Sequence, residues 1–195
     1  GKKGFHRVSW DLRYPSPMAV RLNANNNQMP GFMVAPGTFS VAMYKQVDGQ
    51  TTQLSGPQEF QVVQLYEGAL ATDSPKQVAK FWRKFENVSR RGSAVQVTLD
   101  NTLNRVEGMR TALGQSKADV GDLDTRLYNL RMKLLDLDES LNGNRSKRGP
   151  GEKNNPTVGS RMFVVNRVLE FSTYGPTTTA KENLAIAEEQ LDMIQ

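Results

Sequence analysis

Residues 74–113 read SPKQVAKFWRKFENVSRRGSAVQVTLDNTLNRVEGMRTAL. Their apolar positions alternate in steps of three and four: Val78, Phe81, Phe85, Val88, Gly92, Val95, Leu99, Thr102, Val106, Met109 and Leu113. That spacing puts them on one stripe of an α-helix. Ser74 supplies a capping oxygen and Pro75 suits the first turn. Unbroken, about forty residues at a rise of about 1.5 Å would span about 60 Å. Gly92, after Arg90 and Arg91, is the weak point at which a kink or break is open.

The same period continues downstream. Val120, Leu123, Leu127, Leu130, Leu134, Leu137 and Leu141 mark a second helix over about 116–142, closed by Asn142-Gly143. Residues 143–157 are a polar loop. A third helix over about 157–172 carries Val158, Met162, Val165 and Leu169. Tyr174-Gly175-Pro176 is a turn. The fourth helix is capped by Thr177 or Thr178 and carries Ala180, Leu184, Ala187, Leu191 and Ile194. Narrow stripes with short or polar links predict an antiparallel helical bundle of three to four helices over 74–195. The first helix has eight Lys/Arg against three Asp/Glu, the second four against six, and residues 174–195 one against four. Oppositely biased helices should therefore be neighbours. Each exposed pair adds at most about 1 kcal/mol, so burial of the apolar stripes dominates.

Upstream, the period is two. Val8, Trp10, Leu12 and Tyr14 alternate with Arg7, Ser9, Asp11 and Arg13, which predicts a half-buried strand ended by Pro15 and Pro17. Residues 23–31 are a loop by content. Phe39, Val41 and Met43 alternate in a second strand. Asp48-Gly49 signals a hairpin. A return strand is expected over 50–54, broken by Gly56-Pro57, with a further strand over 59–65. Short strands spaced by turns suggest a small Ig-like β-sandwich over residues 1–67. About 65 residues is thin for a complete one, because small domains bury too little surface, so the sandwich is expected to be incomplete or to lean on a neighbour. The fold class is thus α+β and multidomain.

Composition narrows the chemistry. The chain has 195 residues, no cysteine and one histidine, His6. Disulfides, thiolate metal sites and cysteine nucleophiles are excluded, and histidine-based sites have little to build on. No run of 18 apolar residues is present, so no membrane span is expected. The net charge is +5. Basic charge suits nucleic acid, but the basic loop Arg145–Arg148 has no interleaved aromatics and reads as a solvated linker. The Asp136–Gly143 run departs from a calcium loop, since Leu141 stands where glycine is required. Asp119, Asp122 and Asp124 complement the positive end of the second helix's dipole rather than forming a catalytic pair. No phosphate loop, nucleophile elbow or zinc-protease helix occurs. No catalytic residue, metal site or cofactor is expected.

The stretch Gly4-Phe5-His6-Arg7-Val8-Ser9-Trp10-Asp11-Leu12-Arg13-Tyr14-Pro15 resembles a Gly-x-Asn-Arg-x-x-Trp-Asp-Leu-Arg-Tyr-Pro segment. That segment lies near the C-terminus of large bacterial exported proteins with sortilin-type or bacterial-neuraminidase-repeat propellers, often labelled glycosyl hydrolases. Ala35–Val41 and Val47-Asp48-Gly49 are similar to that family's Pro-Gly-Thr-Tyr-x-Val and Val-Asp-Gly stretches. In the family this region resembles the Ig-like domain of the flagellar hook-capping protein, with a helical segment after it. The likeness covers the first 65 residues; His6 replaces the usual Asn. It implies a non-catalytic C-terminal accessory module of an exported protein, whose partner is the N-terminal propeller of the same chain. The propeller's Ser-x-Asp-x-Gly-x-Thr-Trp box is not in this sequence. The alternative is a carbohydrate-binding module for a polysaccharide-degrading parent, with Tyr14, Phe32 and Tyr44 as candidate binding aromatics. Trp82, beside core Phe81, is the candidate for a module interface. Another protein is a further possible partner; nucleic acid is not expected.

Overall fold

The computed structural model describes residues 4–17, 31–65, 73–148, 150–170 and 175–195. Two strands, β1 (Gly37–Val47) and β2 (Gln50–Val62), pair antiparallel in a two-stranded sheet. Helices follow: α1 (Pro75–Gln115), α2 (Leu123–Asn142), a single turn α3 (Arg145–Arg148), α4 (Val158–Glu170) and α5 (Thr178–Ile194). The α+β class holds. A full Ig-like sandwich over residues 1–67 is not shown; among the described residues that region forms a two-stranded hairpin.

The hairpin turns at Asp48 and Gly49, with φ of 49° and 78°. Two consecutive positive φ values match the right-handed twist of the strands, hence Asp-Gly. Gly56-Pro57 does not end the return strand as the sequence suggested. Val41 faces Gln58, Met43 faces Ser55 and Tyr44 faces Gln53, so β2 takes up one extra residue in each interval. Bulges absorb the glycine and the missing proline donor without breaking the pairing.

The strand expected over residues 7–14 is not formed either. Leu12 has φ 60°, a left-handed turn that a continuous strand excludes. Asp11 Oδ1 accepts the Arg13 N–H at 3.1 Å and Trp10 Nε1 donates to the Arg13 carbonyl at 2.8 Å. Among the described residues one bridge, Arg13 to Met33, is formed, flanked by Tyr14 N–H to Phe32 O and Val34 N–H to Leu12 O. Local side-chain bonds outcompete the ladder here. The expected loop at 23–31 falls outside the described residues except for Gly31.

α1 runs unbroken through Gly92. Ser74 and Gln77 close a capping box at its start. α2 begins later than expected, at Leu123. Gly121 is left-handed at φ 54° and Asp119 Oδ1 holds its N–H at 3.0 Å, which turns the chain before the helix. Gly143, φ 83°, ends α2, and Thr177 Oγ1 caps α5 through the Ala180 N–H at 3.2 Å.

The helices do not make a uniform four-helix bundle. Asn142 reaches Gln96 and Arg131 reaches Glu107, so α2 runs antiparallel beside the second half of α1. Asp73 meets Lys181, Lys84 meets Glu188 and Arg91 meets Asp192, so α5 runs parallel to the first half of α1. Arg161 bonds Asn183, while Gln190 bonds the Pro156 carbonyl, so α4 is antiparallel to α5. α4 continues the line of α2: a Cβ on Gly159 would lie 3.2 Å from the Leu141 carbonyl. The main core gathers Phe85, Val88, Leu141, Val158, Val165, Ala180, Leu184, Ala187 and Leu191. It lies where α1, α4 and α5 meet the end of α2. Beyond it, α1 and α2 project as a two-helix arm. Length explains this: α1 has 41 residues, α4 has 13 and α5 has 17, so at about 1.5 Å per residue the last two cover only part of α1. The basic first helix does lie beside the acidic last one.

Candidate functional site: an open hairpin and an aromatic junction

β1 and β2 are exposed along nearly their whole length. Among the described residues no strand pairs with the outer edge of either. Alternation puts Phe39, Val41, Met43 and Val47 on one face of β1, with Val41 and Met43 about 60% exposed. Trp10 covers only the base of that face. Its ring meets Phe39 at 5.5 Å and Phe60 at 6.1 Å, both edge-on, and remains 44% exposed. Trp10 is therefore a lid on a hairpin rather than the centre of a sandwich core.

A second aromatic group pins the upstream segment to α1. Phe32 stacks on Trp82 with centroids 3.6 Å apart, and both meet Phe85 edge-on. The Phe32 N–H donates to Glu86 Oε1 at 3.1 Å. Glu86 is buried, a position that the apolar stripe gave no reason to single out. The Tyr14 hydroxyl accepts from Arg83, whose guanidinium also lies 5.1 Å from the Tyr14 ring centre. Gly31 permits the approach, because a Cβ there would sit 2.3 Å from the Tyr14 carbonyl oxygen.

Of the four residues singled out in sequence, Phe32 and Trp82 are brought together and Tyr14 joins them through α1. Tyr44 lies apart on the hairpin, on the face opposite Phe39, Val41 and Met43. Tyr14, Phe32 and Tyr44 thus do not form one exposed aromatic platform. Trp82 packs on Phe32 where the upstream segment meets α1. Among the described residues no cluster of three or more histidine, aspartate or glutamate side chains is placed to hold a metal ion, and no helix is long and apolar enough to cross a membrane. Comparison with protein-family models, curated proteins and solved structures finds no match to this chain.

Proposed function

We propose that this chain is a non-catalytic C-terminal accessory module of a larger exported propeller protein of the glycosyl-hydrolase type. The hairpin docks on the N-terminal propeller of the same protein, and the helices act as a spacer and protein-interaction surface. The module works outside the cytoplasm, in the periplasm, at the outer membrane or beyond the cell.

The observation that carries this reading is the hairpin. A two-stranded ribbon is at best marginally stable alone in water. Unpaired strand edges invite further pairing, and this ribbon adds exposed apolar side chains on β1, Val41, Met43 and Val47. Such a surface is economical only if another β-structure completes it. Its tie to the helices, through Trp10 and the Phe32–Trp82 stack, would transmit that docking to the bundle.

Amide hydrogen exchange tests it. In the isolated chain the β1 and β2 amides should exchange far faster than those of the helical core. With the propeller region of the parent added in trans, alternate edge amides should become protected. No protection with the propeller present, or turnover of chromogenic glycosides by this chain alone, would overturn the reading. The carbohydrate-binding alternative rests on Tyr44 as its only exposed candidate; calorimetric titration of polysaccharides against Tyr44→Ala discriminates it.

A further inference from the structure

The two-helix arm has two unlike sides. On α1, Leu99, Val106 and Leu113 recur every seven residues, and on α2 so do Leu127, Leu134 and Leu141. These lines face each other, and Leu99, Val106 and Leu141 are buried. A second line on each helix, Thr102 and Met109 on α1 and Leu123, Leu130 and Leu137 on α2, is turned in the same rotational sense from the first. In an antiparallel pair, equal rotations bring both second lines to the same side. The opposite side is closed by polar contacts: Arg131 to Glu107 at 3.8 Å and Asn142 to Gln96 at 2.7 Å. Among the described residues the apolar side stays open. Met109 is 54% exposed, and Leu123, Leu130 and Leu137 are 43%, 42% and 37% exposed.

The lower half of the molecule shows what fits that side. Lys84 and Arg91, which pair with Glu188 and Asp192 of α5, lie on the same face of α1 as Thr102 and Met109. α5 therefore occupies below the side that is open above. Its last turn, Met193 and Ile194, reaches Leu137 and Ser140 of α2 across a cleft of about 560 Å³ whose remaining lining is mainly the polar segment that follows α2. The groove continues the line of α5. Its rim is basic: Arg105 on α1 and Arg126 and Lys133 on α2 are exposed beside the two apolar lines, with Arg126 also 4.0 Å from Asp122. Like rims would face each other if a second copy seated its arm here, which disfavours self-pairing. An acidic helix meets no such repulsion, and α5 is itself one, with four Asp/Glu and one Lys.

We propose that the open side of the α1–α2 arm is a docking groove for one acidic amphipathic helix, lying in line with α5. Its apolar stripe packs between Met109 and the Leu123–Leu130–Leu137 line, and its carboxylates meet Arg105, Arg126 and Lys133. This holds whether or not the hairpin docks on a propeller.

The probe is a fluorescein-labelled three-heptad peptide with leucines at three-four spacing and glutamates on both flanks. Its twin carries lysines on the flanks. Fluorescence anisotropy with the whole chain should show the acidic peptide binding at least about tenfold tighter than its twin. The exposed-residue variant Arg126→Glu with Lys133→Glu should reverse that preference, and Leu130→Glu should abolish binding. Arg131→Ala, on the closed side, should leave it unchanged. The proposal fails if both peptides bind alike or neither binds, if charge reversal changes nothing, or if sedimentation shows a dimer that Leu130→Glu dissociates.

Discussion

Glu86 sits on α1 next to Phe85, with Val88 and Trp82 close by in sequence on the same helix. Its Oε1 accepts the Phe32 N–H while the ring of Phe32 stacks on Trp82. A half-buried backbone donor still needs a partner, and one side chain from the helix supplies it. Glu86→Ala removes the acceptor and leaves that N–H facing apolar neighbours, at a cost of about 1–3 kcal/mol. Urea unfolding followed by tryptophan fluorescence measures it, since Trp82 reports on the junction directly. The same loss should shift the fluorescence of Trp82 toward a wetter environment before the helices unfold. A variant with unchanged midpoint and spectrum would show that the segment at residues 31–34 is not held through Glu86. Leu12 belongs to the same junction. Its left-handed backbone costs roughly 1–2 kcal/mol in a non-glycine residue. That strain is borne because Leu12 O accepts the Val34 N–H at 2.8 Å and the turn aims Trp10 at the hairpin.

At the scale of elements, α1 persists through Gly92 because its stripe is continuous on both sides and its start is doubly capped. A Cβ at Gly92 meets nothing within 4 Å. Gly92→Ala should therefore stabilise the chain by about 0.5–1 kcal/mol, through lower entropy of the unfolded chain and better helix propensity. Thermal melting by circular dichroism checks it; a lower midpoint would mean that the glycine serves a bend. Helices were legible in this sequence for the reason that makes Gly92 dispensable: Ala180, Leu184, Ala187 and Leu191 each recur at helical spacing and all four are buried. Caps were legible too, at Ser74 and Gly143, and for the last helix down to Thr177 or Thr178, of which the structure uses Thr177. The β region was legible at Asp48-Gly49, along β1 and at the two ends of β2, over residues 50–54 and 59–62, but not in the bulged middle of β2. Alternation at Val8–Tyr14 has the period of a strand, but pairing partners decide strands, and a turn at Leu12 with its side-chain bonds is a purely local alternative. Likewise Gly56-Pro57 carries a break signal that a bulge can absorb, which periodicity cannot distinguish. In the candidate site, Trp82 at a junction was readable from its place beside the stripe. Phe32 as its stacking partner was not, because nothing local links residue 32 to residue 82.

For the molecule as a whole, α1 is a spine of uneven support. Its first half is enclosed by α4, α5 and the Phe32 segment, and its second half is covered, among the described residues, by α2 on one side. Side chains record the difference: Leu184 is 1% exposed in the main core, whereas Leu130 on the arm is 42% exposed. Local stability follows buried apolar contact, so one continuous helix should show a gradient in its opening free energy. Native-state hydrogen exchange should find the α1 amides of residues 79–95 opening only with global unfolding, and those of residues 100–113 opening at lower cost together with α2. Leu184→Ala should cost about 2–5 kcal/mol and lower protection along the first half of α1, because it empties a packed site. Leu130→Ala should cost only about 1 kcal/mol and leave that half untouched, since 42% of its surface already meets water. Ion pairs along α1 and α5 do not alter this ranking: Lys84 and Glu188 are half and a third exposed, so salt screens them and each adds at most about 1 kcal/mol. Adding the acidic peptide should then raise protection in the arm alone and flatten the gradient, because a ligand stabilises only the structure it binds. Uniform exchange along α1 without peptide would mean that the arm is not the weak half of the spine, and the open side would no longer distinguish it from the core.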